Sequence, residues 1–149
     1  MVKVFFGCSM SGGYSVLSQE ELRKFPDLIE ELGHELASKH QTKKGIFQEE
    51  DKLTTTHIHD RDYEWLIESD VGVFEITNGS IGTGQEISDM IGLGKPVLCL
   101  YKKALEYNVS AYGRGKQGSK YVKTPFECYA YETLDDAKHK IKEFLESNS

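Results

Sequence analysis

The feature that most narrows what this chain can fold into is a set of short, almost wholly apolar runs separated by amphipathic segments. Residues 2–7, 71–76 and 96–101 have the length of strands and no polar alternation, the pattern of strands covered on both faces. Residues 121–128, interrupted by Pro125, read as a further strand, and Ile46 with Phe47 as a short one. Between them apolar residues recur at three- and four-residue steps. Residues 18–40 carry Leu22, Phe25, Leu28, Ile29, Leu32 and Leu36, with Pro26 as a kink or as the marker of a start near Phe25. Residues 54–69 follow a threonine N-cap and carry Ile58, Trp65, Leu66 and Ile67. Residues 85–93 stop at Gly94, and Thr133 to Asp136 resembles a capping box opening a last helix through Ala137, Ile141, Phe144 and Leu145. Strands alternating with helices predict one α/β domain over residues 1–149, with a mostly parallel sheet and helices on both faces.

Composition excludes several function classes. The net charge of −6 leaves no basic face for a nucleic-acid backbone, though it permits one phosphate in a local pocket. No apolar stretch approaches the roughly 20 residues that span a bilayer, and the N-terminus runs directly into a strand rather than a signal peptide. Cys8, Cys99 and Cys128 are odd in number, widely spaced and in apolar settings. That predicts reduced thiols in a cytoplasmic protein, neither a disulfide frame nor a zinc site nor a nucleophile. His57 and His59, two apart on a predicted helix, do not share a face, so no metal and no cofactor is expected.

In an open α/β sheet the ligand sits beyond the carboxyl ends of the strands. Two small-residue loops follow strands here: one at Ser9 with Gly12 and Gly13, and one running from Ser80 through Gly82 and Gly84. Glycine lets backbone N–H groups approach an anion, and a helix N-terminus adds unpaired donors and a partial positive charge. The second loop is therefore a candidate phosphate cradle, with Ser80 and Thr83 as hydroxyl donors. The competing reading is that its glycines serve tight turns alone. Neither loop is a Walker motif or a complete dinucleotide fingerprint. Glu86, two residues after Gly84, would stand in the first helical turn, where the dipole keeps a carboxylate ionised as a nucleophile requires. Asp62, among Asp60, Glu64 and Glu68, reads on periodicity as a solvated helix residue. Paired with Glu86, it would supply the acid of a glycosidic cleavage. Residues 104–120, polar and rich in glycine, read as a mobile loop, with Arg114, Lys116 and Lys120 available to a phosphate.

Four blocks carry a resemblance. They are Val4-Phe5-Phe6-Gly7-Cys8-Ser9 with Gly12-Gly13; Asp60-Arg61-Asp62-Tyr63-Glu64-Trp65-Leu66; Ser80-Ile81-Gly82-Thr83-Gly84-Gln85-Glu86; and Leu93-Gly94-Lys95-Pro96-Val97. In this order, from about residue 2 to 115, the chain resembles the nucleoside 2-deoxyribosyltransferase superfamily, nearest its 2′-deoxynucleoside 5′-phosphate N-hydrolase branch. The resemblance implies a Rossmann-like or flavodoxin-like three-layer fold and a homodimer. It implies a double displacement in which Glu86 attacks the anomeric carbon and Asp62 assists the leaving base. It places the 5′-phosphate on Ser80, Gly82 and Gly84, with Ser110 reaching the partner's site, and closes the loop of Gly12 and Gly13 over the sugar phosphate. Ser9 and Phe5 fall in the first-strand block beside the sugar. Two positions depart from the pattern. Phe5 stands where members using deoxynucleotides often have tyrosine, and Ser11 where the hydrolase branch often has arginine. Base exchange by a nucleoside deoxyribosyltransferase, nucleotide binding without catalysis, and a phosphoribohydrolase of the cytokinin-activating type remain alternatives.

Overall fold

The computed structural model describes residues 1–9, 15–37 and 53–149. Gly12, Gly13 and the short strand expected at Ile46 and Phe47 lie outside the described residues. The element order is β1 (Lys3–Cys8), α1 (Gln19–Glu31), β2 (Glu35–Leu36), α2 (Thr55–Glu68), β3 (Val71–Glu75), α3 (Ile81–Gly92), β4 (Val97–Lys102), a 3-10 helix (Lys103–Asn108), α4 (Ala111–Arg114), β5 (Phe126–Tyr131) and α5 (Leu134–Ser147). The strands form one sheet in the order β2-β1-β3-β4-β5, every pairing parallel. This is the flavodoxin-like order, and its direction reverses between β1 and β3, where a crevice opens at their carboxyl ends. Among the described residues no helix is long and apolar enough to cross a membrane.

Alternation along the strands builds two cores. Val4 and Phe6 of β1, Val73 of β3 and Leu98 and Leu100 of β4 pack with Leu22, Phe25 and Ile29 of α1 and Ile141 and Phe144 of α5. On the opposite face Phe5, Phe74, Val97 and Cys99 pack with Leu66 of α2 and Ile87 and Met90 of α3. Phe74 lies so close to its neighbours that a Cβ on Gly7 or on Gly72 would come within 2.7 Å of its ring.

Two helix ends are Schellman turns. After α1, Gly33 takes φ 88°, its N–H bonds to Glu30 O at 2.9 Å and that of His34 to Ile29 O at 3.3 Å. After α3, Gly94 takes φ 76°, its N–H bonds to Ile91 O at 3.0 Å and that of Lys95 to Met90 O at 3.1 Å. The Lys95 ammonium then donates to Leu66 O (2.6 Å), Ile67 O (2.6 Å) and Ser69 O (2.5 Å), which fixes the end of α2 against the end of α3. The helix expected over residues 18–40 therefore stops at Glu31. Leu36, in phase with the helical apolar stripe, lies instead on β2. Pro26 neither starts nor ends α1, which runs through it. The last strand lies later than residues 121–128, at Phe126–Tyr131.

The end of β3 is tied to its surroundings by a buried carboxyl. Glu75 is fully buried, accepts from Thr77 N–H at 2.6 Å and the Thr77 hydroxyl at 3.0 Å, and accepts a short hydrogen bond from the Tyr131 hydroxyl. Burial pushes it up to about 7, against the lowering effect of the Tyr131 and Thr77 hydrogen bonds. Its native pKa lies above the unfolded one, so its contribution to stability is full below about pH 4.5 and is lost as pH rises through about 7. The loss by pH 8 is on the order of 3 kcal/mol. Melting temperatures of the wild type are expected to fall between pH 5 and pH 8, and Glu75→Gln to flatten that slope. Equal slopes for the two proteins would show that Glu75 does not titrate within the fold.

Candidate active site

Ser80 sets the geometry at the crevice. Its extended backbone and its Oγ, which accepts from Thr83 N–H at 3.2 Å, cap α3. The helix therefore starts at Ile81, four residues earlier than the sequence predicted. Gly82 and Gly84 are helical, not part of a preceding loop, and Glu86 is in the second turn rather than the first. A Cβ on Gly84 would meet nothing within 4 Å, and one on Gly82 only Ser80 Oγ at 3.9 Å. Packing does not call for glycine at either position, although glycine costs a helix about 1 kcal/mol against alanine.

Each face of α3 has its own task. Thr83, Ile87 and Met90 are buried toward the sheet. Gly82, Gln85, Glu86 and Asp89 face Ile58, His59, Asp62 and Tyr63 of α2 across a cleft of about 250 Å³. Ser80, Ile81, Gly84 and Ser88 line a second cleft of about 620 Å³ with Tyr107, Ser110, Tyr112 and Lys116. Gln85 and Asp89 border both. The fold thus brings Glu86 and Asp62 together, with Gly82, in one cleft. It gathers Ser80, Gly84 and Ser110 in the other. Phe5 is fully buried against the Phe74 ring, centroids 5.7 Å apart. Ser9 follows β1, 1% exposed, and its Oγ has no hydrogen-bond partner among the described residues.

The two carboxylates differ in environment. Asp62 is held by Arg61, whose Nε and Nη2 donate to Oδ1 at 3.1 and 2.9 Å, and whose guanidinium lies 4.7 Å from the Trp65 ring centroid. Glu86 is half-buried, and among the described lining residues its cleft holds no lysine or arginine. Burial pushes it up to about 8, and the fields of Asp62 and then Asp89 add to the rise. The expectation that the helix dipole keeps Glu86 ionised is therefore corrected. The dipole acts mainly within the first turn, and the chain places Glu86 beyond it, among like charges. Burial first, then the fields of Glu75 and Glu86, also raise the Cys8 thiol, which makes it inert and places it within electrostatic reach of both acids.

Residues 104–120 are not the loose segment that their composition suggested. The 3-10 helix and α4 occupy much of the stretch. Tyr101 O–H donates to Glu106 at 2.6 Å, and Asn108 Nδ2 to Thr77 O at 2.7 Å. Ser110 caps α4, accepting from Gly113 N–H at 3.2 Å, and the Lys116 ammonium sits 4.7 Å from the Tyr112 ring centroid. Sequence reasoning missed Asp89, His59 and Tyr63 as cleft residues. Asp89 at i+3 from Glu86, and Tyr63 next to Asp62 and four residues after His59, were the available signals.

Comparison with known proteins places this geometry in context. The family model described as nucleoside 2-deoxyribosyltransferase matches residues 6–143. The 5-hydroxymethyl-dUMP N-hydrolase of Danio rerio is 30% identical over 148 residues, covering 98% of this chain and 97% of the relative. A protein of Thermofilum pendens with the provisional name 2′-deoxynucleoside 5′-phosphate N-hydrolase 1 is 31% identical over 144 residues, covering 97% and 95%. The solved structure of the CMP N-glycosidase of Clostridium botulinum superposes with a TM-score of 0.67 at 19% identity, covering 95% of this chain and 98% of that one, a likeness of fold.

The coupling of the two acids is open to direct measurement. Asp62→Asn removes a negative charge facing Glu86 and is expected to bring the Glu86 titration below about 8, read from side-chain carboxyl shifts by ¹³C NMR. An unmoved titration would show that the two groups do not interact.

Proposed function

The chain belongs to the nucleoside 2-deoxyribosyltransferase family, and from that membership we infer that it is an N-glycosidase. We propose that it hydrolyses a nucleoside or deoxynucleoside 5′-monophosphate to free base and sugar 5-phosphate through a covalent glycosyl–Glu86 intermediate. The observation that carries this reading is the pairing of Glu86 and Asp62 across one cleft, beside the N-terminus of α3. The names of the relatives support the reaction class.

The phosphate is assigned to the first turn of α3. The Ser80 hydroxyl, while accepting from Thr83 N–H, keeps its own proton to donate. The absence of side chains at Gly82 and Gly84, which packing does not explain, opens the approach of an anion to the start of α3. There Thr83 N–H is bonded to Ser80 Oγ and Gly84 N–H to Ser80 O, and the N–H groups of Ile81 and Gly82 remain for the ligand. In the first step a Glu86 oxygen bonds to C1′, and the C1′–N bond breaks with its electron pair passing to the base. The base takes a proton from Asp62. In the second step Asp62 takes a proton from water, the water oxygen bonds to C1′ as Glu86 leaves as carboxylate, and this second inversion gives net retention.

This chemistry needs one proton shared between the two acids. Burial and the facing aspartates favour that proton on Glu86 in the free protein, while Asp62 is paired to Arg61. The reactive form is the one with the proton moved to Asp62. Above about pH 8 the pair loses its proton, so kcat/KM is expected to fall there. In Asp62→Asn the acid is absent and the weak residual rate should instead rise with pH as Glu86 ionises. The same limb in both proteins would refute the shared proton. Glu86→Gln is expected to lower base release roughly a thousandfold or more while the melting curve survives. Near-normal release, followed by chromatography on purine and pyrimidine nucleotides, would end the mechanism. An added acceptor base that appears in product nucleoside would assign the chain to base exchange instead.

The assembly proposed is a homodimer in which the partner subunit's Ser110 completes the phosphate site. Supporting it, Ile81, Tyr107 and Tyr112 are 85%, 77% and 84% exposed around the cleft that Ser80 and Ser110 line. Ile81→Glu is expected to yield monomers by sedimentation equilibrium and to weaken phosphate binding. A dimer unaffected by that charge would place the interface elsewhere.

A further inference from the structure

The two clefts beside α3 differ in charge, and the difference sorts the two ends of a nucleotide. The cleft against α2 presents Asp62 and Glu86 with no lysine or arginine among its described lining residues, which disfavours a phosphate dianion, while Asp89 borders both clefts. The cleft on the other side presents Lys116 with Ser80. With Glu86 at the anomeric carbon and Asp62 at the leaving nitrogen, the uncharged heterocycle extends toward α2. There Ile58, His59, Asp62, Tyr63 and Leu66 recur at helical steps along one stripe. The His59 and Tyr63 rings, four residues apart, are stacked with centroids 5.8 Å apart and planes 16° from parallel. They make a π surface immediately beside the acid.

We propose that the stacked His59–Tyr63 pair is the platform that reads the leaving base, which makes these two residues determinants of base specificity. This assignment rests on the hydrolase reading above for the placement of the sugar. It accounts for features which that reading leaves unused: two rings lining an acidic cleft, one of them attached to a side chain that is 69% exposed. A flat heterocycle stacks on such a surface through its π-face, whatever its hydrogen-bonding edge, and the adjacent Asp62 then meets that edge. Discrimination between bases comes from how far the ring reaches along the stripe from Leu66 toward Ile58.

The test uses Glu86→Gln protein, expected to bind nucleotide without turnover, and calorimetric titration with CMP, dCMP, AMP, dAMP and ribose 5-phosphate. Adding Tyr63→Ala or His59→Ala is expected to weaken the tightest nucleotide about tenfold or more and to compress the differences among bases. Ribose 5-phosphate affinity should stay unchanged, and Tyr63→Phe should keep the parent behaviour. His59→Ala guards against a folding defect, since its ring is exposed. Equal losses for nucleotide and sugar phosphate, no loss for either, or a parent that binds nucleotide no better than sugar phosphate would each overturn the platform. Base release by the wild type reports separately on hydrolysis. Base-selective binding without release would sink the hydrolase reading and leave the platform standing.

Discussion

A carboxyl group buried at the end of the central strand organises the ligand-binding edge of the sheet. Glu75 cannot reach water, so its oxygens must be satisfied by protein, and the donors that do so come from both directions. Tyr131 brings β5 in, and Thr77 folds the chain back over the strand end. Thr77 Oγ1 then accepts from Lys102 N–H at 2.9 Å, and its carbonyl accepts from Asn108. Asn78 follows: its Oδ1 accepts from Val16 and Leu17 N–H at 2.8 and 2.9 Å, and its Nδ2 donates to Leu17 O at 3.0 Å. One buried acid thus fixes the exit of β3, the approach to α1 and the 3-10 helix. Two residues after Asn78, Ser80 starts the helix that carries the site.

That helix is a partition with three surfaces. Its buried stripe of Thr83, Ile87 and Met90 sets its rotation against the sheet, and the rotation decides where everything else points. Glu86, one residue before Ile87, is carried toward α2. Ser80 and Gly84 are carried toward α4. Lys95, by holding three carbonyls at the end of α2, fixes the distance between the walls of the acidic cleft. Glu86 and Asp62 are thus brought to one cleft by packing and by a helix end.

Electrostatics then departs from what position along a helix suggests. A glutamate near a helix start is ordinarily stabilised as the anion. Here burial and two facing aspartates outweigh a dipole that is already a turn away. Asp62, with Arg61 beside it, is the acid that holds an ion pair. The two groups thus sit in different surroundings, Asp62 against a guanidinium and Glu86 among like charges.

The sequence by itself determined the fold class and the parallel sheet, because strand length, apolar periodicity and the four family blocks are local properties of the chain. It determined the end of α3 through Gly94 and the start of α2 through Thr54. It misplaced the end of α1, because Leu36 keeps the helical period past Gly33 and only pairing with β1 makes it a strand residue. It misplaced the start of α3, because Gly82 and Gly84 are poor helix formers, and it is the Ser80 cap and the packing of Thr83, Ile87 and Met90 that carry the helix through them. The proton affinity of Glu86, the separation of Ser80 from Glu86 into two clefts, and the placing of His59 and Tyr63 beside Asp62 were decided by tertiary structure alone. Each depends on which groups face one another across space, and that is set by the rotation and spacing of packed helices rather than by any residue's neighbours in the chain.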